Sequence, residues 1–258
     1  MESAERGHDR DLVGSLERGL GVMEILAAHP GGLTLTETAA KADLTRAAAR
    51  RLLLTLVATG YATQDGRQFH LSPRLVTVAR TWLGGSSLWT LAEPIMRNVS
   101  ASLGESCSAA VLSGEDVVYV ARVAGRAILR VSLEVGAHLP AYCTSMGRML
   151  LSGLPPERLA DFLARATVVK RTPKTLVDAK DIAAAVEKAR ADGFAIVDEE
   201  LELGLRSIAV PIRGRSGQLI AAINVSTQTA RFSVDDMRRT ILPLLNEARI
   251  AIEEMAGL

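Results

Sequence analysis

Cysteine and histidine are scarce here, and their placement excludes several kinds of site. Cys107 and Cys143 stand alone, without CxxC spacing, so the chain has no disulfide framework and no thiolate zinc site. That usage fits a reducing, cytoplasmic compartment. The 4 histidines, at positions 8, 29, 70 and 138, are scattered, and no metal ligand set is expected. No apolar run approaches the ~20 residues of a membrane span. Residues 1–11 mix acids with arginines and lack an apolar core, so they read as a frayed tail and not as a signal peptide. Glycine-rich phosphate loops, HExxH and nucleotide fingerprints are missing too, so no cofactor is expected. A net charge of +1 excludes indiscriminate binding of nucleic acid or membrane through bulk charge. Aromatics are only 3%, yet hydrophobic residues reach 48% of 258, enough for a sizeable core.

The informative stretch is Leu44-Thr-Arg-Ala-Ala-Ala-Arg-Arg-Leu-Leu53. Thr45 suits an N-cap. Ala49, Leu52, Leu53 and Leu56 recur at helical spacing, and the other face carries Arg46, Arg50 and Arg51 with only Ala47 and Ala48 between them. Small residues allow close approach to a major groove, where guanidinium forks pair with guanine or hold phosphates. Upstream, residues 16–28 read as an amphipathic helix with Ser15 as cap, ended by His29-Pro30-Gly31-Gly32. A short helix then runs to Ala42, with Thr34 and Thr36 as alternative caps. Downstream, Asp65-Gly66 between β-prone runs signals a hairpin that carries Arg67 near its tip. Helix, helix, basic helix and hairpin in that order make a winged helix-turn-helix over residues 12–72. Its predicted DNA contacts are Thr45, Arg46, Ala47, Ala48, Arg50, Arg51 and Arg67, on double-stranded DNA.

Residues 73–87 read as a linker helix, and residues 88–258 as a second domain. After a helix over residues 88–102, strands are expected at 108–113, 116–121, 128–132 and 137–140. Helices follow at 145–153, 156–165 and 181–192, then strands at 194–197, 205–212 and 218–226. A last helix is capped by Ser233, with Pro243 as a kink point. The result is an α+β chain: a winged helix-turn-helix joined by a linker helix to an antiparallel sheet covered by helices. Such a second domain either senses a small molecule or only oligomerises the protein. An enzyme using Cys143 as nucleophile and His138 as base is the rival class. No elbow turn or orienting acid supports it, so the chain is read as a non-enzyme.

Over residues 12–256 the chain resembles the IclR family of bacterial transcriptional regulators. The resemblance rests on the basic helix with Leu56-Val-Ala-Thr-Gly-Tyr61, on Ala141-Tyr-Cys-Thr-Ser-Met-Gly-Arg-Met-Leu-Leu151, and on Asp198-Glu-Glu-Leu-Glu-Leu-Gly-Leu-Arg-Ser-Ile-Ala-Val-Pro211. The wording is closest to the Pca/Pob-type subgroup, which controls protocatechuate, 4-hydroxybenzoate and β-ketoadipate catabolism. The resemblance implies a GAF-like effector domain, a homodimer or dimer of dimers, a roughly palindromic operator and a small organic acid effector, aromatic or dicarboxylic. It places the effector pocket on the open face of the sheet, between residues 141–148 and the last strands. Ser207 falls at a pocket-lining position, and Asn224 and Ser226, at i and i+2, share one strand face. Ser145, Met146 and Gly147 open a helix whose N–H groups could receive a carboxylate. Tyr142 and His138 are further hydrogen-bonding candidates. Glu199 and Glu200 read as ion-pair partners of Arg148 and Arg206. Two residues depart from the family pattern: Cys143 stands where small residues are commoner, and Thr45 near the usual capping proline.

Overall fold

The computed structural model describes residues 13–83, 88–125 and 133–258. The tail to Asp11, the glycine-serine end of the linker helix and the strand expected at 128–132 lie outside the described residues. The chain divides into two compact units, Met1–Gly85 and Ser86–Leu258.

In the first unit, α1 (Gly14–Ala27) leads to β1 (Leu33–Thr34) and α2 (Leu35–Lys41). Ser15 does not cap α1. The helix starts two residues earlier than expected, at Gly14, because the Val13 carbonyl already accepts from Leu16 and Glu17. Thr34 and not Thr36 caps α2, since Glu37 then sits at the third position and returns a bond to the Thr34 N–H, a capping box. The turn into α3 (Arg46–Ala58) needs a left-handed residue, and Asp43 supplies it at φ 51°. The Leu44 N–H then reaches back to the Ala39 carbonyl at 2.9 Å. Wing strands β2 (Ala62–Asp65) and β3 (Gln68–Leu71) pair antiparallel, and β1 adds to β3, a third strand that sequence periodicity did not show. α4 (Arg74–Leu83) follows. Val22, Leu26, Leu33, Leu53, Leu56, Ala62 and Phe69 form one core joining α1, α3 and the wing. Each large aliphatic buried there contributes roughly 1.5–3 kcal/mol.

The second unit opens with α5 (Leu88–Leu103). Its described strands are β4 (Ser106–Ser113), β5 (Asp116–Val123), β6 (His138–Pro140), β7 (Ala195–Asp198), β8 (Leu205–Arg213) and β9 (Leu219–Gln228). They form an antiparallel sheet ordered β6-β5-β4-β9-β8-β7. A 3₁₀ turn, Ala141–Cys143, enters α6 (Ser145–Leu151), and α7 (Pro156–Arg165) and α8 (Ala179–Asp192) follow. Ala110, Tyr119, Ala209 and Ala222 join Met146, Met149, Leu151, Phe162 and Ile182 in a core on the sheet face under α6–α8. Alternate residues, such as Cys107, Ala109, Ile208 and Ile223, are equally buried on the other face, the side of α5 and the last helix. That last helix runs as α9 (Val234–Asp236), a π-turn (Met237–Ile241) and α10 (Leu242–Met255). The π-turn sits just before Pro243, whose missing N–H interrupts the α-helical ladder.

Candidate functional site

The basic helix face is freely presented. The Thr45 hydroxyl accepts from the Ala48 N–H at 3.2 Å and so fixes the start of α3. Ala49, Leu53 and Leu56 are buried, whereas Arg46, Ala47, Arg50 and Arg51 are exposed. Among the described residues none of Arg46, Arg50, Arg51 and Arg67 makes an intramolecular hydrogen bond or ion pair. Arg46 and Arg50, one turn apart, share a side of the helix. Arg51 and Ala48 turn instead toward an apolar groove lined by Leu16, Leu20, Leu52, Leu75 and Val78. The face read from the sequence therefore splits, with two arginines on one side and the third at the rim of a groove. At the wing, Asp65 pairs with Gln68, so Gly66 and Arg67 form the two-residue tip. Gly66 takes φ 56°, and Arg67 stands exposed at the apex.

In the second unit the sheet builds a polar band. Register aligns Arg122, Ser108 and Asn224 across β5, β4 and β9, and Ser106, Ser226 and Ser207 across β4, β9 and β8. A bulge on β5 matters here. Ala109 pairs with Ala121 but Ala110 with Tyr119, so Val120 is an extra residue. It brings Tyr119 and Arg122 onto one face despite their odd spacing. Arg122, Asn224, Ser226 and Ser207 of this band floor a cavity of about 360 Å³, walled by Leu139, Cys143, Thr144 and Ser145 and rimmed by Glu202, Leu203 and Gly204. Small-molecule pockets are typically of this size or larger.

Arg122 is the only cation lining this cavity among the described residues. Its guanidinium donates to the hydroxyls of Ser108 at 3.3 Å and Ser106 at 3.4 Å, and no carboxylate among the described residues pairs with it. Asn224 donates to the Ser226 hydroxyl at 3.1 Å. The Asn224 Oδ1 and the Ser145 Oγ are buried with no hydrogen-bond partner among the described residues.

Of the residues expected in the pocket, Ser145, Ser207, Asn224 and Ser226 line the cavity, and Tyr142, Met146 and Gly147 do not. The Tyr142 hydroxyl is taken by the Val169 backbone, donating to its carbonyl at 2.7 Å and accepting from its N–H at 3.1 Å. Met146 is in the core under α6. Gly147 is there for close packing: a Cβ would lie 2.2 Å from the Ala141 carbonyl oxygen, and its N–H is used by the Thr144 cap. His138 is exposed at the sheet edge and faces Asp116 at 3.7 Å. Arg122 and Tyr119 were missed. The available signal was an arginine ending the apolar strand Asp116–Val123, but the bulge that turns it inward has no sequence mark.

Asp198, Glu199 and Glu200 are structural. Glu200 takes a two-pronged pair from Arg148, both contacts at 2.7 Å and both side chains nearly fully buried. Arg206 pairs with Asp198 at 2.7 Å and holds its carboxyl below the usual range. Lys174 pairs with Glu199. Cys143 lines the cavity, but burial pushes its thiol up to about 11, which keeps it neutral and a poor nucleophile.

An exposed-arginine helix on a winged helix-turn-helix, in one chain with a sheet domain that encloses a cavity, defines a DNA-binding regulator. The IclR helix-turn-helix domain profile matches residues 15–66, and the bacterial transcriptional regulator IclR C-terminal profile matches residues 81–253. The chain is 42% identical over 238 residues to the Pca regulon regulatory protein of Pseudomonas putida, covering 92% of this chain and 82% of that one. It is 32% identical over 248 residues to the p-hydroxybenzoate hydroxylase transcriptional activator of Acinetobacter baylyi, covering 94% and 92%. Its fold is similar to that of an IclR homolog from Microbacterium hydrocarbonoxydans complexed with 4-hydroxybenzoate. That match has a TM-score of 0.80 at 25% identity, over 93% of this chain and 98% of that one. This chain belongs to the IclR family of transcriptional regulators.

Proposed function

We propose that this protein regulates genes of aromatic-compound catabolism in the cytoplasm, binding a roughly palindromic operator as a homodimer or dimer of dimers. A small organic acid, aromatic or dicarboxylic, is its effector. The observation that carries this reading is Arg122: a half-buried guanidinium facing a cavity, without a carboxylate partner among the described residues, calls for an anionic ligand. A domain that only oligomerised would have no use for such a group. The exposed Leu16, Leu20, Val76 and Val78 on α1 and α4 give the first unit an apolar face suited to a second copy. Two recognition helices related by a two-fold axis then read two half-sites. A ligand shifts the operator equilibrium only by its different affinity for the two arrangements of the protein.

The test is an anisotropy titration of a labelled duplex from the DNA upstream of its own gene, with Arg46→Ala and Arg50→Ala. A residue that reads a base loses about 1–3 kcal/mol on the operator and relaxes specificity at one position. A phosphate contact weakens all sequences alike and flattens the salt slope. If neither substitution changes affinity, α3 is not the reading helix.

A further inference from the structure

Glu105 is buried where α5 hands over to β4, and it is tied to one wall of the cavity. Its Oε1 accepts from the Thr227 hydroxyl at 2.7 Å and from the Arg231 guanidinium at 2.7 Å. Its Oε2 is buried with no hydrogen-bond partner among the described residues. Ser106 pairs with Ser226 across β4 and β9, so Glu105 and Thr227 meet one step further along, on the opposite face. Thr227 stands between two cavity-lining residues, Ser226 and Gln228, and Arg231 directly follows two more, Thr229 and Ala230. The Arg231 N–H closes the turn that carries them, donating to the Gln228 carbonyl at 3.0 Å.

The ion pair is lopsided. Arg148 grips both oxygens of Glu200, whereas Arg231 holds Glu105 by one. The Arg231 side chain is 42% exposed and can exchange its contact for water, but that of Glu105, at 1%, cannot. If the turn moved alone, Glu105 would be left buried and unpaired, a costly state. A displacement of the turn is therefore shared with the backbone of Glu105, the junction of α5 and β4. α5 is the first described element of the second unit, and the chain runs from it back to the DNA-binding unit.

Resting on the reading of this cavity as the effector site, we propose that Glu105 couples cavity occupancy to α5 through two seatings of the 228–231 turn. One is the one-point seating of this structure; the other is two-pronged and takes up the unused Oε2. A ligand lying against Gln228, Thr229 and Ala230 shifts the balance by its different affinity for the two seatings. Coupling of this kind needs an element with two discrete arrangements that both sites bias. Arginine suits the task, because its planar fork pairs with a carboxylate by one contact or two, whereas a lysine ammonium is a point charge. Glu105 is thus a positioning residue, acting through Thr227 and Arg231.

Two quantities measured on the full chain test this. Operator affinity is followed by anisotropy with and without protocatechuate, 4-hydroxybenzoate and β-ketoadipate in turn, and affinity for the responding acid by isothermal titration. Wild type is compared with Arg231→Lys, Arg231→Ala and Glu105→Gln, and melting temperatures check folding. Lysine preserves a one-point pair, so Arg231→Lys should melt near wild type and bind the acid within about threefold of it. Its operator response should nonetheless fall from the wild-type shift of about 5- to 150-fold to below about twofold. Arg231→Ala and Glu105→Gln should lose the response too, while still binding the acid. A pair with only a structural role gives the opposite pattern: a full response in Arg231→Lys, and in the others a lower melting temperature with the response intact. That pattern overturns the proposal, as does a loss of acid binding in parallel with the response. If no acid shifts the wild-type operator affinity, the effector reading fails and this coupling with it.

Discussion

Cutting Glu200 back to alanine should destabilise this protein more than almost any other single surface-preserving change. The two side chains of the Arg148–Glu200 pair are only 5% and 9% exposed, and both guanidinium contacts are 2.7 Å. Arg148 also donates to the Tyr142 carbonyl at 3.0 Å, and Glu200 lies where the chain leaves β7, so the pair pins α6 to the sheet edge. Removing one partner leaves the other charged, buried and unpaired, a loss of about 3–5 kcal/mol. For a domain of this size that is a fall in melting temperature of roughly 6–20 °C. Replacing both partners, as in Arg148→Met with Glu200→Leu, removes the stranded charge and should recover most of the loss. Urea unfolding of wild type, both single variants and the double variant, followed by circular dichroism, gives the four free energies. If Glu200→Ala changes stability by less than about 1 kcal/mol, or the double variant is no better than the worse single, the pair does not act as a buried charge couple.

Gly147→Ala should be more damaging than its one added methyl suggests, because the new Cβ would meet the Ala141 backbone at 2.2 Å. We expect a loss of about 1–3 kcal/mol or more, read from the same unfolding curves. Asp198 is held below the usual carboxylate range by Arg206, so it contributes stability above about pH 4 that is lost as pH falls through its depressed value. Asp198→Asn should therefore flatten the acid limb of a stability-against-pH curve and leave its neutral-to-alkaline shape alone. Burial pushes the Cys107 thiol up to about 12 and that of Cys143 to about 11, so neither should react with iodoacetamide in the native protein at pH 7.5. Mass spectrometry should find both labelled once urea is added, and rapid native labelling would contradict this burial. Asp43→Gly relieves the left-handed turn between α2 and α3 and should raise stability by up to about 1 kcal/mol.

Elements whose signal is local were legible in the sequence. The α3 cap at Thr45, the Gly66 hairpin and the Gly193 end of α8 each depend on a few neighbouring residues, and they form as their chemistry dictates. Ser207, Asn224 and Ser226 share a cavity because strand alternation fixes faces. Other features are set by long-range contacts and left no trace. The Val120 bulge that turns Arg122 inward is a matter of register between two strands. Tyr142 has the chemistry of a ligand donor, yet its hydroxyl is consumed by Val169, 27 residues away. Gly147 looked like a helix opening to an anion, and is instead the contact at which α6 meets the preceding turn. Arg51 differs from Arg46 and Arg50 only by which neighbours α1 and α4 place beside it.

The most direct test of the account compares operator affinity with and without acid in wild type and Arg122→Met. The anisotropy titration is run at fixed salt with protocatechuate, 4-hydroxybenzoate and β-ketoadipate in turn. A coupling of typically ~1–3 kcal/mol predicts that one acid shifts the wild-type operator dissociation constant by about 5- to 150-fold. In Arg122→Met the ratio of constants with and without that acid should fall to near one. A variant that responds as fully as wild type would contradict the account, because the acid would then be sensed without the guanidinium on which the effector site is built.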